Sequence, residues 1–159
     1  MRQILLMVDV QATFSPPEWL VEGVRELAER IPSVATIELH DETRTPFKSQ
    51  LGWCPAVADK SLVEAGQVFV KHGYAPSPAT IEYLRQMNPD RVLVCGIQTE
   101  TCVLAAGFAL FDAGLYPTLI TDLTVGSSLD RSGQLGINLW KHHFGQTISS
   151  AELLAALGA

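Results

Sequence analysis

Four side chains able to do chemistry occupy equivalent places in this sequence. Asp9 closes the apolar run 4–8, Lys71 closes 67–70, Asp122 follows 117–120, and Cys102 comes shortly after 91–95. If these runs are strands of an open parallel sheet, all four side chains come to its carboxyl edge, where such sheets bind their ligands. Thiol, carboxylate and ammonium together suit nucleophilic acyl transfer: the thiolate attacks, the carboxylate moves the proton, and the ammonium balances charge. Cys102 has the strongest placement. The run 91–95 leads through Gly96-Ile-Gln-Thr-Glu-Thr to Cys102 and then into a helical apolar stretch, 103–111. In the first turn of that helix, unpaired N–H groups and the positive end of the dipole favour a thiolate and can hold an oxyanion. A free cysteine alone would read as a small buried hydrophobe, and it is Asp9 and Lys71 that tip the balance here. Cys95, inside a strand of Val and Leu, keeps that reading, and Cys54 reads as a loop bystander. Asp9 is either the base or an end-of-strand turn cap. Asp122 competes for the base role and reads equally as a cap. Lys71 is expected to attract both the carboxylate and the thiolate, lowering both pKa values.

The elements that must position these groups follow from the hydrophobic pattern. Strand-like runs at 4–8, 34–39, 67–70, 91–95, 117–120 and 146–148 alternate with helical patterns at 19–30, 78–86, 101–113, 130–143 and 150–157. Such alternation predicts an α/β fold, a parallel sheet covered by helices on both faces. The last helix carries a capping-box start, Ser149 with Glu152 three residues on. One stretch lacks periodicity: residues 40–61, with Pro46, Gly52 and Pro55 interleaved with Phe47 and Trp53. It is either a functional pocket wall or an irregular crossover whose aromatics plug the core.

Composition narrows the class. With 159 residues, 47% of them hydrophobic and 18% charged, the chain suits one domain, 1–159, with a full core and no disordered tract. A net charge of −6, with scattered basic residues, argues against nucleic acid or an anionic membrane as partner and leaves a small-molecule substrate. Three cysteines without CxxC spacing exclude a disulfide framework and a structural zinc site. The run 4–8 is too short for a secretory signal and is interrupted by Asp9, so a cytoplasmic location is expected. A receiver-type phosphorylation domain needs an acidic pair at the first strand, where only Asp9 stands. A DxDxT phosphatase needs a second Asp, where Gln11 stands.

Three stretches carry a family resemblance: Val8-Asp-Val-Gln11 with Phe14, Lys71-His-Gly-Tyr74, and Gly96-Ile-Gln-Thr-Glu-Thr-Cys102-Val103. Together they resemble the signatures of the isochorismatase-like cysteine hydrolases, over nearly the whole chain. The resemblance implies a Rossmann-like three-layer α/β/α domain with a six-stranded parallel sheet of order 3-2-1-4-5-6. It also implies an Asp9–Lys71–Cys102 triad, a cis peptide between Ile97 and Gln98, and an oxyanion hole from the backbone N–H groups of Gln98 and Cys102. The implied reaction is cleavage of a C–N bond in a small amide, ureido or carbamoyl compound through a thioester. The alternative is an inactive binding protein on the same fold. Nicotinamidases of the family hold a metal through an Asp and several His after the second strand. Only His40 and Asp41 stand in that region here, so neither metal nor cofactor is expected. Phe14, Phe47 and Trp53 are candidate pocket walls, with His40 and Arg44 as polar contacts; core packing and a solvated turn explain them equally well. Family members associate, and the helix after Cys102 is apolar nearly all round, so a homo-oligomer is expected.

Overall fold

A computed structural model of the chain describes residues 1–158. Its sheet contains β1 (Gln3–Val8), β2 (Ser33–Glu38), β3 (Gln67–Lys71), β4 (Arg91–Ile97), β5 (Pro117–Val125) and the short β6 (Thr147–Ile148). All pairings are parallel and the order is β3-β2-β1-β4-β5-β6. Because β1 is central, both of its faces are buried, and it reads as an unbroken apolar run rather than an alternating one. Leu5 and Met7 pack with Leu20, Val24 and Leu27 of α1 (Glu18–Ala28) and with Leu153 of α6 (Ser150–Gly158). Leu6 and Val8 face the other way, toward Leu84 of α3 (Pro78–Gln86), Ala106 and Leu110 of α4 (Leu104–Asp112), and Trp140 of α5 (Gln134–Phe144). Helix α3 starts as its sequence directs: the Ser77 hydroxyl accepts from the Thr80 N–H and Pro78 occupies the first turn.

The topology places a crevice between β1 and β4. From β1 the chain winds outward through β2 and β3; from β4 it winds the other way through β5 and β6. Loops leaving the carboxyl ends of β1 and β4 therefore diverge, and a ligand can enter between them. Gly96 lets these strands meet there. Its φ is +120°, and a Cβ would lie 2.1 Å from the Val8 carbonyl oxygen, so no other residue fits without displacing backbone.

The aperiodic 40–61 segment holds one short helix, α2 (Phe47–Leu51). Three further boundaries differ from the sequence reading by more than two residues. The fifth strand continues past residue 120 to Val125 across a register shift opposite Val94 and Gly96, and Asp122 lies inside it. The irregularity exposes Asp122, which is why Thr121-Asp122 looks like a turn in sequence. The helix carrying Cys102 opens as a π-turn, Thr99–Val103, before becoming α4. The α5 helix begins at Gln134, because the Asp130 carboxylate receives the N–H groups of Ser132 and Leu135 in the turn before it.

Candidate active site

Strand β2 supplies the floor of the site. Thr36 and Glu38 alternate onto the face that packs against α4, and Lys71 is the register partner of Glu38 on neighbouring β3. Asp9 follows β1, where strict alternation would send its side chain to the opposite face. Its backbone instead takes φ +52°, a left-handed conformation that Asp tolerates better than most residues, and the carboxylate turns toward β2 and β3. Lys71 Nζ then stands 2.8 Å from Asp9 Oδ2 and 3.1 Å from Glu38 Oε1. It also donates to the carbonyls of Gly73, at 2.8 Å, and Tyr74, at 3.1 Å. The Thr36 hydroxyl donates to Asp9 Oδ1 at 2.8 Å. The Cys102 thiol comes in from the β4 side of the crevice, 3.8 Å from Glu38 Oε1. All four side chains are buried: Asp9 at 0%, Glu38 at 2%, Lys71 at 3% and Cys102 at 5% exposure.

The fold therefore brings together the three residues singled out in the sequence, and adds Glu38. Glu38 is fixed at its backbone: Gln11 Nε2 donates to its carbonyl at 2.8 Å, and its N–H donates to Gln11 Oε1 at 2.7 Å. Gln11 also donates to Asp59, which receives the Thr13 N–H, so the 40–61 segment is tied to the turn after β1. The signal for Glu38 was present. It is the acidic residue at the carboxyl end of the second run, 34–39, just before His40 and Asp41.

Charge in this cluster is governed by burial. Burial raises the Asp9 carboxyl above its ordinary pKa, outweighing the pull of Lys71 and the bonds from Lys71, Thr36 and Cys102. Glu38 is raised for the same reason, with Asp9 adding to the effect and Lys71 opposing it. Burial also opposes the Lys71 ammonium, but Asp9, Cys102 and Glu38 together hold it above its usual range. The Cys102 thiol is pushed well up by burial and by Asp9 and Glu38, against the attraction of Lys71. The expected lowering of the Asp9 and Cys102 pKa values is thus reversed. Lys71 acts in the anticipated direction, but desolvation outweighs it at Asp9, and desolvation with the charges of Asp9 and Glu38 outweighs it at Cys102, which favours the neutral thiol.

The mouth beside this cluster is a groove lined by Thr13, Phe14, Ser15, Trp53, Gln98, Ser127, Ser128 and Arg131. The Ile97–Gln98 peptide is cis. Phe14 and Trp53 pair across the groove with ring centroids 6.3 Å apart. Phe47 is buried beneath, edge-on to Trp53 and Tyr74. Of the aromatics in the 40–61 segment, Trp53 thus lines the groove and Phe47 packs in the core. His40 and Arg44 do not line the groove. His40 Nε2 is 3.0 Å from Glu42 Oε1, and Arg44 pairs with Asp41 on an exposed turn. The residues from the β5–α5 loop (Ser127, Ser128 and Arg131) carry no motif and were not anticipated. That loop is held to the turn carrying Cys102 by the Ser127 N–H, which donates to Glu100 Oε1 at 2.9 Å. Asp122 is exposed, and its carboxylate caps α6 by accepting from the N–H and hydroxyl of Ser150. The Cys95 thiol is buried against the Leu6 carbonyl, as core packing requires.

The chain belongs to the Isochorismatase domain family, whose sequence profile matches residues 3–152. No curated protein sequence gives a significant match. Solved structures share the fold at low identity. PnC1 of L. infantum, in complex with nicotinate, is 21% identical over 94% of this chain and 93% of that one, with a TM-score of 0.77. The pyrazinamidase of Pyrococcus horikoshii, in complex with zinc, is 20% identical over 94% and 99%, TM-score 0.78. The N-carbamoylsarcosine amidase of Thermoplasma acidophilum is 20% identical over 94% and 97%, TM-score 0.73.

A metal does not suit the residues present. Among the described residues, Asp9, Glu38 and Cys102 form the one group of three acidic, Cys or His side chains whose ligand atoms lie close together, within 4.8 Å. Lys71 already places a cation against both carboxylates, and a dication would have to displace it. Among the described residues no helix is long and apolar enough to cross a membrane.

Proposed function

We propose that this protein is a cysteine-dependent hydrolase that cleaves a C–N bond in a small amide, ureido or carbamoyl compound. The observation that carries the reading is the Cys102 thiol, held against a buried carboxylate–ammonium cluster at the switch crevice, beside an aromatic groove. Family membership and the amidases that share the fold support a hydrolase of C–N bonds in general. On this reading substrate enters between Phe14 and Trp53 and places its carbonyl beside the Cys102 sulfur. Asp9 takes the thiol proton as the C–S bond forms, and the carbonyl electron pair moves to oxygen. The backbone N–H groups of Gln98 and Cys102 hold that oxyanion. Collapse of the intermediate breaks the C–N bond, the amine leaves with the proton from Asp9, and water then cleaves the thioester. Lys71 keeps the carboxylates placed and balances their charge. The raised thiol pKa requires proton and carbonyl carbon to be exchanged together, rather than through a standing thiolate.

Ammonia release from a panel of carboxamides and N-carbamoyl amino acids, with Cys102→Ala beside the wild type, tests this proposal. Turnover of at least one compound, abolished in the variant, is expected. Undiminished turnover in Cys102→Ala would sink the mechanism. The binding-protein alternative draws on the same neutral thiol; it predicts saturable binding of such a compound without product. Association is read from α4, whose outer face exposes Phe108 and Phe111 beside Phe144, and sedimentation velocity would detect it.

A further inference from the structure

We propose that Glu38 is a catalytic residue, the second proton acceptor at Cys102 and the base that activates water in hydrolysis of the acyl-enzyme. The inference rests on the hydrolase reading and concerns its second half. Glu38 Oε1 is shared between the Cys102 thiol, at 3.8 Å, and Lys71 Nζ, at 3.1 Å. Its Oε2 accepts no hydrogen bond from the described residues. Asp9 is more constrained, with Oδ1 receiving Thr36 and Oδ2 facing Lys71 at 2.8 Å. Two carboxylates thus surround one ammonium and one thiol, and of the two it is Glu38 that has Oε1 at the sulfur and an Oε2 held by no hydrogen bond, while both oxygens of Asp9 face a fixed partner. A buried Glu placed only to neutralise Lys71 would be superfluous, because Asp9 already pairs with that ammonium. The backbone clamp from Gln11 fixes the strand position from which Glu38 reaches the sulfur.

The proton count closes. In the resting site the thiol hydrogen points to Glu38. Acylation passes that proton through a carboxylate to the leaving amine, so both carboxylates end ionised around the thioester. Glu38 Oε2 then takes a proton from water while the hydroxide oxygen bonds to the acyl carbon. The C–S bond breaks with its electron pair on sulfur, and the thiolate recovers the proton from Glu38. No oxidant, reductant or further reactant is needed.

The probe is p-nitrophenyl acetate, which acylates a reactive thiol and whose leaving group needs no proton. Wild type should release a burst of nitrophenolate and then turn over at the deacylation rate. Glu38→Gln should still give a burst, slower than wild type because only Asp9 remains to take the thiol proton, and should slow the steady rate by about 100-fold, the usual weight of a general base. An acetyl adduct on Cys102 should then accumulate in intact-mass spectra, and the acidic limb of the deacylation pH profile should disappear. A Glu38→Gln enzyme with wild-type burst and wild-type steady rate overturns the inference and leaves the hydrolase reading standing. No burst in the wild type removes both. Should Glu38→Gln not fold, Glu38→Asp keeps the charge but withdraws it from the sulfur by one methylene. It should slow deacylation, and an unchanged rate there would also overturn the inference.

Discussion

Replacing Lys71 with Met is the most direct test of the electrostatic description of the cluster. The substitution keeps most of the stem volume and removes the one positive charge that Asp9 and Glu38 face at 2.8 and 3.1 Å. Removing one partner from a buried ion pair leaves the other uncompensated and costs about 3–5 kcal/mol. Against a total stability of about 5–15 kcal/mol this is a large fraction. With a urea m-value of about 2 kcal/mol/M, the midpoint should fall by about 2 M at pH 8. The loss should depend on pH in a definite direction. Without the ammonium, both carboxyl pKa values in the folded protein rise further above their unfolded values. From about pH 4 upward the folded state then holds more protons than the unfolded chain, so stability falls as pH rises toward the folded pKa values. Urea melts near pH 4.5 should show most of the wild-type stability, and melts at pH 8 the full loss. A Lys71→Met/Glu38→Gln double variant removes one orphaned carboxylate and should recover about 1–3 kcal/mol at pH 8. A loss that is equal at both pH values, or below about 1 kcal/mol at pH 8, would show that the cluster is not the desolvated set of charges described here.

Other outcomes follow from individual contacts. Iodoacetamide labelling of Cys102, followed by mass spectrometry, should have its midpoint above that of a free thiol; Asp9→Asn should lower the midpoint and Lys71→Ala raise it, since Asp9 opposes and Lys71 favours the thiolate. Labelling of Cys102 well below the free-thiol range would contradict the neutral resting thiol. Gly96→Ala should destabilise by about 3 kcal/mol in urea unfolding, from about 1–2 for the positive φ and the remainder from the clash with Val8. Trp53→Ala, at a half-exposed ring, should raise KM with little change in Tm. Phe47→Ala, at a buried ring, should cost about 3–5 kcal/mol and lower Tm.

Much of this was legible in the sequence because it depends on one-dimensional signals. Unbroken apolar runs announced buried parallel strands, and the helical pattern 78–86 matches α3 to the residue. The boundaries that shifted are those set by tertiary contact. Strand β5 passes through Asp122 because β4 pairs with it again beyond the irregularity, at Thr124 and Val125, and no local propensity records that. The site divides in the same way. Asp9, Lys71 and Cys102 stand next to recognisable patterns. Glu38 looks like an ordinary polar end to a strand until β3 places Lys71 in register with it. Ser127, Ser128 and Arg131 reach the groove because Gly136 lets α5 lie close on the turn carrying Cys102, where a Cβ would meet the Glu100 nitrogen at 2.7 Å. Nor could composition weigh burial against Coulomb attraction. The sign of the Cys102 shift depends on how much water the fold removes, and a nearby lysine is only half of that sum.

That sign also bears on what the proposed chemistry demands of the carboxylates. A carboxyl with its ordinary pKa is almost wholly ionised at neutral pH and holds a proton poorly for a leaving amine. A general acid–base group works best when its pKa lies near the working pH, and burial moves Asp9 and Glu38 in that direction. The same burial protonates the thiol, so the site gives up a permanent thiolate in exchange for carboxyls that can carry its proton. Lys71 keeps the arrangement from collapsing into fully neutral groups: its charge is retained because three acidic partners face it. Adding water to the cluster, for instance by truncating Phe47, which packs on Tyr74 beside Lys71, should therefore lower the thiol and carboxyl pKa values together. Labelling would speed up while hydrolysis slowed, and a variant in which both rates rose together would contradict this coupling.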